Sequence, residues 1–97
     1  MRKVYMVETL CRDNDTYYLD NVRMGYSTFE RAKEVLDKAI MQEYNDLVEM
    51  KNDNEDYYII DYDESKLERY EREIHIEIKD YEDLITRYTI VVVEVEE

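Results

Sequence analysis

Few residues in this chain could do covalent chemistry: one histidine (His75), one cysteine (Cys11) and two serines (Ser27, Ser65) among 97 residues. Nucleophilic catalysis needs a nucleophile against a base that a third group orients. Ser27 falls in a helix-cap signature and Ser65 in a turn, which leaves the Cys11 thiol and the His75 imidazole. Whether those two meet is a matter for the fold. His75 alternates between Glu73 and Glu77 on what reads as a charged, solvent-facing strand surface. A phosphate-cradling glycine loop is excluded, because Gly25 is the single glycine. The inventory points away from an enzyme, and no cofactor is expected.

Carboxylates are abundant, so metal binding is the next chemistry to test. Asp13-Asn14-Asp15, Asp53-Asn54-Glu55-Asp56 and Asp61-Tyr62-Asp63-Glu64 each offer oxygen ligands at short spacing. None has the central glycine and distal glutamate that close a calcium loop. They read as solvated turns, with no metal site.

What distinguishes the carboxylates is where they fall. Residues 1–40 carry seven acidic and seven basic side chains, whereas residues 41–64 carry nine acidic side chains against Lys51, a net of −8. Residues 65–97 add a further −5 to reach the total of −13. Glu43, Asp46 and Glu49 lie three apart on a predicted helix, where neighbours sit about 5–6 Å from one another. Asp53, Glu55, Asp56, Asp61, Asp63 and Glu64 continue the run, with Tyr57, Tyr58 and Tyr62 among them. Phosphates recur about every 3.4 Å along one DNA strand, so ordered carboxylates can approach that charge density. Like charges so close destabilise a helix mildly. Tyrosine, rigid and amphipathic, suits interface anchoring. The candidate partner-binding set is therefore Glu43, Asp46, Glu49, Asp53, Glu55, Asp56, Tyr57, Asp61, Asp63 and Glu64, offered to a basic surface.

The same balance excludes other partners. The basic residues have acidic company, so no basic stripe exists to bind nucleic acid directly. The longest apolar runs span four residues, as in Ile90–Val93, far short of a membrane helix. No signal peptide is visible after Met1-Arg2-Lys3. One cysteine cannot close an internal disulfide, which fits a reducing, cytoplasmic setting. Leu, Ile, Val and Phe number 24 of 97, above the level at which a charged chain stays disordered.

Periodicity predicts a single α+β domain over 1–97. Val4 to Cys11 and Tyr17 to Met24 read as a hairpin around Arg12-Asp13-Asn14-Asp15, with Gly25 marking a sharp exit. Ser27-Thr28-Phe29-Glu30 has the capping-box form. Phe29, Ala32, Leu36, Ala39, Ile40, Leu47 and Val48 then recur at helical spacing, giving one long amphipathic helix over Thr28–Met50. Three strands follow: Tyr57–Tyr62, Tyr70–Ile78 with Tyr70, Ile74, Ile76 and Ile78 on one face, and a last one in which Val91, Val93 and Val95 share a face. Ser65-Lys66-Leu67-Glu68 admits a short helix as the alternative to a long hairpin. The predicted order is ββαβββ, a mostly antiparallel sheet with the helix on one face.

A small, acidic, Tyr- and Asn-rich α+β chain of this kind resembles the phage-encoded inhibitors of bacterial defence, the anti-CRISPR and anti-restriction proteins, several of which present carboxylates as a DNA mimic. The segment from Gly25 to Lys33, followed by Tyr57-Tyr58-Ile59-Ile60, is similar to small phage and bacterial ββαβ proteins, which implies a fold and no function. The first resemblance implies a non-enzymatic inhibitor that binds a basic, nucleic-acid-binding surface of a CRISPR effector or restriction nuclease. The alternative is a structural or regulatory adaptor that homodimerises or pairs through a sheet edge, its long last strand from Thr89 to Val95 being the candidate.

Overall fold

Side-chain alternation decides how this chain folds, because residues two apart on a strand share a face. The computed structural model describes the backbone of residues 2–13, 16–64, 69–81 and 83–96, with side chains over 2–12, 25–61, 70–81 and 83–96. Five strands and one helix follow in the order β1 (Arg2–Asp13), β2 (Thr16–Tyr26), α1 (Phe29–Glu49), β3 (Glu55–Glu64), β4 (Arg69–Ile78) and β5 (Leu84–Val95). The predicted ββαβββ α+β fold is the one found. All strand pairs are antiparallel, and the sheet order is β2-β1-β5-β4-β3.

Helix α1 covers one face. Ala32, Leu36 and Ile40, four apart, are fully buried against Tyr5 and Val7 of β1, Ile74 of β4, and Tyr88 and Ile90 of β5. Phe29, Ala39, Tyr44 and Leu47 pack around that row. Each fully buried Leu, Ile or Val contributes about 1.5–3 kcal/mol relative to exposure. A latch beside the core ties α1 to the sheet. Arg72 of β4 bonds Asp37 of α1 at 3.3 Å and also holds Asp61 of β3, while the Tyr70 hydroxyl donates to Asp37 at 3.0 Å.

Several expectations need correction. The N-cap is Thr28, whose hydroxyl accepts from the Arg31 amide at 3.2 Å, and not Ser27. Both residues are hydroxyl-bearing, and the extended backbone of Thr28 decides between them. Gly25 is not an exit turn. It lies inside β2 opposite Met6, with no positive φ. A Cβ there would meet Val4 Cγ1 at 2.4 Å and Met6 Sδ at 2.6 Å, so the glycine makes room for two neighbouring side chains. β5 lies inside the sheet over Leu84–Thr89, where it pairs with both β1 and β4; over Ile90–Val95, among the described residues, it pairs with β1 alone, so this half of the strand keeps one open side. The hairpin-or-helix question over residues 65–68 lies outside the described residues, but 69–72 are strand.

Candidate functional site at the acidic end

Pairing registers place the carboxylates. β3 starts at Glu55 opposite Ile78 and ends at Glu64 opposite Arg69, so its ends lie roughly 30 Å apart at about 3.3 Å per residue. The acidic run of 41–64, contiguous in sequence, is therefore split in space. Asp61 stands toward the far end of β3 and is held by the Arg72 guanidinium. Asp63 and Glu64 follow it on the same strand, and their side chains lie outside the described residues. Glu43 is half-buried and accepts a hydrogen bond from the Tyr88 hydroxyl under the helix. Asp61 and Glu43 thus have partners of their own, and the backbone of Asp63 and Glu64 lies at the far end of β3.

The remaining members do come together, at the end of the molecule where α1 stops. Asp46 and Glu49 are exposed on the last helical turn, which contains no basic residue. Asp53 is exposed in the connection to β3. Asp56 pairs with Lys51 at 3.3 Å, an exposed contact worth little in water. Glu55 accepts from the Tyr57 hydroxyl at 2.5 Å, and this bond pushes the Tyr57 phenol upward in pKa. Tyr57 is half-buried on the helix side, where its carbonyl accepts from the Tyr44 hydroxyl at 3.5 Å. It is therefore not a fully exposed anchor.

The tertiary structure adds three carboxylates from outside the acidic run of residues 41–64. The β4–β5 connection folds against the α1–β3 connection, fixed by the Lys79 amide donating to the Asn54 carbonyl at 3.0 Å. This brings exposed Asp83 close to Asp53, with exposed Asp80 on the same connection, while exposed Glu77 stands on β4 in register with Asp56. Between the two connections lies an open cleft of about 400 Å³, with Asp53, Asp56, Glu77 and Asp83 among its walls and Lys79 at its side. The cue was available: residues 77–83 hold four acids and one lysine. Eight described carboxylates thus gather near Lys51 and Lys79, with Arg12 of β1 at the same end of the sheet, opposite Ile85.

Large apolar side chains stand exposed in the same region: Met50 is 74 % exposed, Tyr81 78 % and Leu84 50 %. Tyr81 is carried on a reverse turn closed by its own amide donating to the Ile78 carbonyl at 3.1 Å. Asp80 within that turn has a left-handed φ of 69°, which aspartate tolerates better than most residues. Apolar anchors within a polar rim are the usual anatomy of a protein interface.

The opposite sheet face carries a polar cluster that alternation placed in solvent, and here the expectation fails. His75 is only 14 % exposed, stacked on Tyr58 with ring centroids 5.3 Å apart, and donates to Glu73 Oε2 at 2.8 Å. Glu73, 3 % exposed, accepts from Arg87 through its other oxygen. Tyr58 in turn donates to Glu77 at 2.8 Å, which raises its pKa. The neighbours on β3 and β5 close over these side chains even without a second helix. Cys11 lies on the helix side, in register with Thr86 and, across β5, Ile74. The sheet therefore separates the thiol from His75. Among the described residues no group of three or more His, Cys, Asp or Glu side chains is arranged to hold a metal ion, and no helix is long and apolar enough to cross a membrane. Comparison with protein-family models, with curated proteins and with solved structures finds no match to this chain.

Proposed function

We propose that this chain is a non-enzymatic inhibitor whose acidic end occupies a basic, nucleic-acid-binding surface of another protein, with CRISPR effectors and restriction nucleases as the partner class. The observation that carries this reading is the last turn of α1. Asp46 and Glu49 stand exposed at the negative end of the helix dipole with no basic residue in that turn. Each such placement costs about 0.3–1 kcal/mol. Six further carboxylates cluster beside them, whereas Asp37 and Asp61 at the far side are matched by Arg72. Charge concentrated at a cost to folding has a reason in recognition. Carboxylates here would engage arginine and lysine side chains that otherwise meet phosphates, and Tyr81, Met50 and Leu84 would supply the apolar contacts.

The test uses the opposite signs of stability and binding. Asp46→Lys with Glu49→Lys places cations at the helix C-terminus and raises the thermal midpoint. The same change, combined with Asp53→Lys and Asp56→Lys, abolishes inhibition of duplex cleavage by a guide-loaded CRISPR effector or a restriction nuclease. Inhibition by the unmodified chain weakens between ~0.15 and ~0.5 M salt as screening shortens. A stable fourfold variant that inhibits as well as the parent removes the acidic end as the surface.

A further inference from the structure

The helix-free face of the sheet has two halves of different character. Along paired β1 and β5, its rows run Arg2–Val95, Val4–Val93, Met6–Val91, Glu8–Thr89, Leu10–Arg87 and Arg12–Ile85. The half from Leu10 onward is internally satisfied, because Arg87 and His75 saturate both oxygens of buried Glu73. The other half is more open. Val91, Val93 and Val95 are 37 %, 42 % and 37 % exposed. Their strand neighbours Ile90 and Val92 point to the helix side instead. Val4 and Met6 continue this apolar surface toward β2, where the missing side chain of Gly25 leaves them room. A cation, Arg2, borders the patch at one end and a carboxylate, Glu8, at the other.

We infer that this valine face is a homodimer interface, with a second copy of the chain packed face to face across a two-fold axis. The argument is self-complementarity. An axis running across the strands between the Val4–Val93 and Met6–Val91 rows reverses row order, so Val4 faces Met6 and Val93 faces Val91. The same operation sets Arg2 of each copy against Glu8 of the other, an isologous arrangement. Overall charge agrees with it. The patch lies in the part of the molecule away from the acidic end, and Leu84 is eight residues along β5 from the axis. At about 3.3 Å per residue the two acidic ends of a dimer stand roughly 50 Å apart, several times the ~8 Å screening length at physiological salt. Two chains of −13 can therefore join here without opposing their concentrated charge. The dimer would carry an acidic end at each extremity.

The patch is small. Six residues of rise across two to three strands span on the order of 300 Å², below the ~800 Å² per partner of a standard interface. An interface of this size belongs to the weak, transient class.

Sedimentation of the full chain from ~1 µM to ~1 mM tests this. A monomer–dimer equilibrium is expected that survives ~0.5 M salt, unlike the inhibition assigned to the acidic end. Val93→Glu raises the dissociation constant at least about tenfold, and Val93→Thr raises it less while keeping a strand-favouring side chain. Arg2→Glu or Glu8→Arg alone weakens dimerisation about two- to fivefold, and the two together restore it. A chain that stays monomeric to the highest concentration overturns the inference. So does a dimer indifferent to Val93→Glu, or a charge swap that fails to restore what each single change removes. Circular dichroism on each variant confirms that the fold is retained.

Discussion

Arg72 on β4 and Asp37 on α1 meet at 3.3 Å, the Arg72 side chain 14 % exposed, and this contact holds the middle of the helix against the sheet. The same carboxylate accepts from Tyr70. Burial and then that hydrogen bond push the Tyr70 phenol up to about 12 from its usual 10.0. The folded chain keeps the Tyr70 proton at a pH where the unfolded chain has lost it. The stabilisation is full below pH 10 and disappears as the pH rises toward 12.

Asp37→Ala is thus expected to lower the Tyr70 midpoint toward its usual value, leaving burial as the main remaining cause. Phenolate absorbance, referenced to the Tyr70→Phe variant, reads the shift. Loss of charge-assisted bonds to Arg72 lowers folding stability by about 2 kcal/mol, measured as a lower urea midpoint. An unmoved midpoint in both measurements would show that the latch is absent in solution.

Glu73 is the buried centre of the cluster on the helix-free face. Glu73→Ala strips a carboxylate from between Arg87 and His75, and breaking a buried pair in this way costs about 3–5 kcal/mol. Arg87, 26 % exposed, regains some hydration, so the lower end of that range is expected. A double-mutant cycle with Arg87→Ala isolates the pair. Strict additivity of the two changes would show that they do not interact.

Gly25→Ala brings a methyl within 2.4 Å of Val4 Cγ1 and 2.6 Å of Met6 Sδ. Methionine can swing aside, but the short branched valine cannot. A loss of about 1–3 kcal/mol is expected from overpacking. Adding Val4→Ala relieves the clash, so the pair costs less than the sum of the two single changes. Equal loss with and without Val4→Ala would mean that the backbone, not the side chain, resists the methyl.

Period and punctuation were enough to read the element order, because each depends on neighbours in sequence. Ala32, Leu36 and Ile40 at four-residue spacing, with hydroxyls just ahead of them, make α1 visible before any fold is known. The alternation of Ile74 and Ile76 does the same for β4. The cap register was ambiguous for a local reason, since Ser27 and Thr28 offer the same hydroxyl chemistry and differ only in backbone angle.

Faces and neighbours were legible only in part. Alternation shows that Val91, Val93 and Val95 point the same way, but not that Ile90 and Val92 point to the helix instead. That depends on the register of β5 between β1 and β4. His75 and Glu73 looked solvent-bound because a strand read alone has no cross-strand neighbours, and Tyr58 and Arg87 come from other strands.

The concentration of negative charge in the second half of the chain was determined by sequence alone, and with it the sign of any surface that would seek this protein. Which carboxylates share that surface was decided by the tertiary structure. An extended strand carries Asp61, Asp63 and Glu64 away from Glu55, while strand register sets Glu77 opposite Asp56 and two joined connections bring Asp80 and Asp83 to the same end as Asp53. The physical reason is reach: along a strand each residue adds about 3.3 Å, so sequence neighbours separate quickly, and only pairing between distant segments returns charges to one place.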